Sequence, residues 1–163
     1  MARVAYTVGD DCSTDAIYPG RYMATVLPSE TPQFCFANDA DFNGRLKAGQ
    51  VPAGSVIVGG KNFGCGSSRE QAASAIKGWG LTVVASGIAR IFLQNAINLG
   101  LSVVMAPGVE AAAGDELEIL PGRVLNRTSG RAFPVTPLPK ARQAIIDAGG
   151  LIPYTRTRLL ESR

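Results

Sequence analysis

Between Ser55 and Met105 the chain alternates short runs of β-branched and apolar residues with longer amphipathic stretches, and glycines mark most of the changeovers. Ser55-Val56-Ile57-Val58 reads as a buried strand, followed by a glycine-rich loop from Gly59 to Gly66. A helix is predicted from about Ser68 to Lys77, stopped by Gly78 and Gly80, and then a strand over Leu81 to Ala85. Ser86-Gly87 opens a second helix, Ile88 to Asn98, which ends at Gly100, and Leu101 to Met105 forms a third strand. This order with short links predicts a partly parallel sheet with packed helices.

The flanks are patterned differently. Val4 to Val8 is a short strand closed by the turn Gly9-Asp10-Asp11. Cys12 to about Pro32 carries Pro19, Gly20, Pro28 and Pro32 and shows no period, so a long functional loop is expected, mobile until a partner binds. Phe34 to Leu46 suggests a short helix and Lys47 to Gly54 a turn-rich connector. Glu116 to Leu120, Arg123 to Asn126 and Ala132 to Val135, separated by Pro121-Gly122 and Ser129-Gly130, predict a β-meander. Pro139 to Ala148 is a closing helix with Gly149-Gly150 as its stop, and Arg156, Arg158 and Arg163 read as a solvated tail. The expectation is one α/β domain over residues 1–163, a length that buries one core and is short for two.

Composition narrows the function. The net charge of +3 is spread along the chain, which suits a soluble protein with a small anionic ligand. No Lys/Arg stripe interleaves with aromatics, so no nucleic acid is expected. The N-terminus lacks an apolar targeting segment and Arg90 interrupts the longest apolar run, so no membrane association and a cytoplasmic location are expected. Cys12, Cys35 and Cys65 show no paired spacing and read as small packed residues. The chain contains no histidine, which removes a Ser-His-Asp triad, a Cys-His pair and the commonest zinc ligands. Any proton transfer must use another base or be completed by another chain.

The candidate chemistry lies in Gly59-Gly60-Lys61-Asn62-Phe63-Gly64-Cys65-Gly66-Ser67-Ser68-Arg69-Glu70. Its glycines permit positive φ and close approach of backbone to a ligand, and the helix that follows turns its N–H groups and positive dipole end toward the loop. Gly64, Cys65 and Gly66 thus mark an anion-binding loop, and Arg69 adds a planar fork suited to a carboxylate. The phosphate-loop pattern fails because Cys65 follows Gly64, and the dinucleotide pattern fails because Arg69 stands where its third glycine belongs. A purely structural use is also open: Ser67-x-x-Glu70 and Ser68-x-x-Gln71 both fit a capping box.

Asn62 to Ala72 resembles the signature of the aconitase superfamily's swivelling domain, in the form found in small subunits of 3-isopropylmalate dehydratase and archaeal-type homoaconitase. The likeness extends through Gly9-Asp10-Asp11-x-x-Thr14-Asp15-Ala16-Ile17-x-Pro19-Gly20, through Ile88-Ala89-Arg90-Ile91-Phe92-x-x-Asn95-Ala96-Ile97-Asn98-x-Gly100-Leu101, and to Ala148-Gly149-Gly150-Leu151, and so covers nearly the whole chain. It implies a β/β/α swivelling-domain fold that closes over a large subunit carrying a four-iron–four-sulfur cluster. The activity implied is hydro-lyase chemistry on a hydroxy-dicarboxylic acid, isopropylmalate in leucine biosynthesis being the first expectation. Homoaconitate, 2,3-dimethylmalate, citramalate or maleate, or a non-catalytic anion-binding module, are the alternatives.

The same resemblance implies Ser67 as general base and Ser68 and Arg69 as holders of substrate carboxylate, with no metal ligand on this chain. It places substrate specificity in Arg21, Tyr22, Met23, Ala24 and Thr25. Related chains often read Tyr-Leu-Arg-Thr where this one reads Tyr22-Met23-Ala24-Thr25, so Ala24 replaces an arginine while Arg21 stands three residues earlier. Thr14 and Asp15 are expected to order the start of their own loop, Asp15 by accepting from backbone N–H groups. Arg90, set in an apolar helix, is expected to form a structural ion pair.

Overall fold

The computed structural model describes residues 1–162. Seven strands form one mixed sheet in the order β4-β3-β2-β1-β5-β6-β7. Strands β1 (Ala2–Thr7), β2 (Val56–Gly59), β3 (Thr82–Ala85) and β4 (Val103–Met105) run parallel. Strands β5 (Glu116–Leu120), β6 (Arg123–Asn126) and β7 (Ala132–Pro134) continue antiparallel from the other edge of β1 as the expected meander. Helices α3 (Glu70–Gly78) and α4 (Arg90–Leu99) supply the crossovers from β2 to β3 and from β3 to β4.

Both faces of the parallel strands are buried, which explains their uninterrupted apolar runs. Ile57, Val83 and Ala85 face the helices and join Ala72, Ala73, Ile76, Phe92 and Ile97 in the larger core. Val56, Val58 and Val84, one residue out of phase, pack with Val4, Leu117, Val124 and Phe133 on the other face.

Four expectations change. The stretch Cys12–Pro32 is not formless: it holds helix α1 (Thr14–Ile17) and 3-10 turns at Gly20–Tyr22 and, overlapping its end, Thr31–Phe34, and it buries Ile17 and Tyr18 completely. The single helix expected from Phe34 to Leu46 begins only at Ala40 and runs to Lys47 as α2, because Asp39 caps it, accepting from the Phe42 N–H at 3.1 Å. The chain closes with two helices, α5 (Lys140–Asp147) and α6 (Leu151–Glu161), so Arg156 and Arg158 lie on an exposed helix and not on an extended tail. Arg163 lies outside the described residues. Arg90 is exposed at the first position of α4 and pairs with no carboxylate among the described residues. A helix start leaves a side chain outside the core, so the charge needs no buried partner.

Candidate active site

The parallel strands β1 and β2 end side by side, and the loops that leave them, Gly9–Ser13 and Gly60–Ser68, are laced together. Gly60 N–H donates to the Gly9 carbonyl at 3.2 Å, Asp11 N–H to Lys61 at 2.8 Å, Gly64 N–H to Cys12 at 2.7 Å and Thr14 N–H to Cys65 at 2.8 Å. The candidate site therefore lies at the carboxyl ends of the parallel strands, where open α/β sheets place their ligands. A cleft of about 600 Å³ lies at the opposite strand ends among Met1–Ala5 and Gln50–Ser55 and includes no signature residue. Ser67 and Ser68 stand on an open, exposed face instead.

The glycines of the loop serve packing as well as freedom. Gly64 has φ 83°, and a side chain there would collide with the Phe92 ring, its nearest atom 2.3 Å away. That ring packs edge-on against the fully buried Phe63, which anchors the loop to α4. Gly66, by contrast, is exposed with φ 96°, and an added Cβ would make only ordinary contacts, with Thr14 Oγ1 at 3.6 Å and Ser13 Cβ at 3.9 Å. Cys65 is half-buried, less enclosed than expected, whereas Cys12 and Cys35 are buried.

Neither serine caps the helix. The N-cap of α3 is Arg69, which makes no side-chain capping bond, and the hydroxyls of Ser67 and Ser68 have no hydrogen-bond partner among the described residues. Gln71, the partner in one capping-box pattern, instead donates to the Met23 carbonyl at 3.2 Å. The backbone N–H groups of Ser67 and Ser68 also lack a protein acceptor, so two hydroxyls and two N–H donors face solvent at a helix N-terminus.

Arg69 is held from one side. Its Nη1 donates to Asp15 Oδ1 at 2.5 Å and to the Tyr18 carbonyl at 3.1 Å, while Nη2 and Nε bond to no protein atom among the described residues. The Arg69 hydrogen bond, reinforced by the Gly20 N–H at 2.9 Å, holds the Asp15 carboxyl below the usual carboxylate range. These contacts fix the orientation of the guanidinium, whose side chain is 16% exposed.

The segment Arg21–Thr25 lies beside the start of α3, where Gln71 donates to the Met23 carbonyl. Gly20 lies close enough to Arg69 that an added Cβ would sit 3.3 Å from Nη2. Tyr22 stacks on Phe34 with ring centroids 4.0 Å apart, and the Arg21 guanidinium lies 4.6 Å over the Tyr22 ring. Arg21 and Ala24 are exposed, Met23 and Thr25 half-buried. Tyr18, which the sequence did not single out, fixes this turn: its buried hydroxyl lies 3.0 Å from the Tyr22 carbonyl and 3.2 Å from that of Thr25. A cleft of about 150 Å³, lined by Val26, Pro28, Glu70, Gln71, Ser74 and Leu99, adjoins the segment.

The cysteines do not form a ligand set for an iron–sulfur cluster. No three His, Cys, Asp or Glu side chains converge on a metal among the described residues. Burial pushes the Cys12 thiol up to about 11 and that of Cys35 higher still, the opposite of what a thiolate ligand requires.

The site is thus an exposed Ser67-Ser68 pair beside a partly buried Arg69, at the carboxyl ends of the parallel strands of a mixed sheet. The aconitase C-terminal domain family matches residues 38–107. The 3-isopropylmalate dehydratase small subunit of Moorella thermoacetica is 47% identical over 96% of this chain and 95% of its own length. The isopropylmalate/citramalate isomerase small subunit of Methanocaldococcus jannaschii is 42% identical over 95% and 93%. The crystal structure of a 3-isopropylmalate dehydratase from the same organism superposes with a TM-score of 0.88 at 40% identity, covering 98% of this chain and 95% of that one. The chain belongs to the family of 3-isopropylmalate dehydratase small subunits. Among its described residues no helix is long and apolar enough to cross a membrane.

Proposed function

We propose that this chain is the small subunit of a heteromeric hydro-lyase that moves water on and off 3-isopropylmalate, working in the cytoplasm with a large subunit. Full-length similarity to 3-isopropylmalate dehydratase small subunits supports the substrate class. The observation that carries the mechanism is that Ser67 and Ser68 are exposed and free of any capping role beside a pre-oriented Arg69. In this reading Ser67 takes the carbon-bound proton. Its hydroxyl is too weak an acid to ionise unaided, so the Ser67 and Ser68 N–H donors, the helix N-terminus and the Arg69 charge stabilise the alkoxide. Ser68 and the free edge of Arg69 hold a substrate carboxylate, and Gly64, Cys65 and Gly66 shape the loop beneath it. The large subunit carries the four-iron–four-sulfur cluster, which supplies Lewis acidity to the substrate hydroxyl. Arg21, Tyr22, Met23, Ala24 and Thr25 line the pocket for the variable side group.

The test is anaerobic reconstitution with the cognate large subunit, assaying isopropylmaleate beside citraconate, maleate and homoaconitate. Activity on isopropylmaleate is expected, with kcat falling about a thousandfold in Ser67→Ala and relative kcat/KM among the acids shifting in Ala24→Arg. Turnover by the small subunit alone, or full activity in Ser67→Ala, overturns the reading. Ala24 in place of arginine, together with a relative named isopropylmalate/citramalate isomerase, favours one second reading, a citramalate-type acid, and activity confined to citraconate selects it.

A further inference from the structure

Two adjacent residues of the N-terminal motif reach across more than fifty positions to hold two adjacent parts of the signature loop. Thr14 is buried, and its hydroxyl donates to the Ser67 carbonyl at 2.8 Å while its N–H donates to the Cys65 carbonyl at 2.8 Å. The Ser67 carbonyl also accepts from the Arg69 N–H at 2.9 Å, so it is held by two donors. Thr14 thus grips the backbone on either side of Gly66, the exposed positive-φ glycine of the loop, where an added Cβ would lie 3.6 Å from the Thr14 hydroxyl. Asp15, the next residue, grips Arg69 through Nη1 and is itself fixed by the Gly20 N–H.

We infer that Thr14 and Asp15 are positioning residues for the reaction: Thr14 sets the backbone of Ser67 so that its hydroxyl faces outward, and Asp15 sets the plane of Arg69 so that its free edge faces substrate. The inference rests on the roles proposed above for Ser67 and Arg69. The geometry divides the labour between neighbours. Gly66 on its own permits several orientations of Ser67, and the Thr14 hydroxyl selects one of them. Arg69 on its own has a long flexible stem, and Asp15 with the Tyr18 carbonyl removes that freedom while using a single nitrogen. Thr14 is buried and Asp15 is engaged by Arg69 and Gly20, so each acts through the residue it holds.

The division gives opposite kinetic signatures. In the reconstituted enzyme, Thr14→Val keeps the shape and removes the donor, and should lower kcat about tenfold or more with KM changed less than about twofold. Thr14→Ser restores the hydroxyl and should return kcat to within about threefold of the parent. Asp15→Asn keeps an acceptor for Gly20 but loses the charge, and should raise KM about tenfold with a smaller effect on kcat. A second readout needs no turnover. Hydrogen exchange in the same complex should quicken over residues 65–72 in Thr14→Val and not in Thr14→Ser, with β2 and β3 unchanged. Equal losses in Thr14→Val and Thr14→Ser, parent-like kinetics in Thr14→Val, or unaltered exchange over 65–72 overturns the positioning role. If the parent complex turns over none of the acids, the proposed function fails, while the exchange result still decides whether Thr14 holds the loop.

Discussion

Gly64 shows how tightly the loop is built at the scale of one residue. Its φ of 83° disfavours any side chain, and the Phe92 ring fills the space a Cβ would take. Gly66 has a similar φ of 96°, but a Cβ there would meet nothing closer than the Thr14 hydroxyl at 3.6 Å. Gly64→Ala should therefore destabilise the chain by about 2–4 kcal/mol, combining left-handed strain with displacement of Phe92, against about 1–2 kcal/mol of backbone strain in Gly66→Ala. Urea unfolding of the two variants measures the difference, and equal losses would mean that the Phe92 contact is unimportant. The glycine richness of the loop was legible in the sequence; which glycine meets a ring and which meets solvent was not. The serines carry the same lesson, since their spacing to Glu70 and Gln71 allows a capping box that Gln71 forgoes for the Met23 carbonyl.

At the scale of elements, the segment from Cys12 to Pro32 is the most instructive. Its prolines and glycine hide any period, yet α1 and the 3-10 turn at Gly20–Tyr22 are pinned from inside by Tyr18. Tyr18→Phe keeps the ring and leaves the Tyr22 and Thr25 carbonyls without that donor, which should cost about 1–3 kcal/mol and quicken hydrogen exchange over residues 20–27 while α4 is unaffected. Exchange there equal to the parent would show that the Tyr22–Phe34 stack and Gln71 suffice. By contrast α3, α4 and strands β2 to β4 were readable from pattern alone, because apolar runs of strand length and glycine stops are local signals, and Gly100 closes α4 in the left-handed conformation. Helix α6 was not, because an exposed helix with no buried residue leaves no core stripe to read.

At the scale of the whole molecule, three carboxylates are held below their ordinary range by hydrogen bonds. Arg69 lowers Asp15, the Tyr6 hydroxyl lowers Asp39, and the Ala112 N–H lowers Asp115. A carboxyl whose folded pKa lies below its unfolded value of about 4 adds stability above that value and loses it as pH falls through the folded one. Melting temperature should therefore be level near neutrality and fall below about pH 4, less steeply in Asp39→Asn, which keeps a capping side chain for α2. An identical acid slope in parent and variant would remove Asp39 from this account. The order of apolar runs and glycine breaks determined by itself the parallel half of the sheet, the meander and the loop that carries Ser67, Ser68 and Arg69, because backbone sterics and burial act over a few neighbouring residues. Only the tertiary structure decided that Thr14 and Asp15 hold that loop, that Tyr18 pins the segment beside it and that neither serine serves as a cap. Those contacts join residues up to more than fifty positions apart, and a hydrogen bond between them exists only once the sheet has set the strand ends side by side.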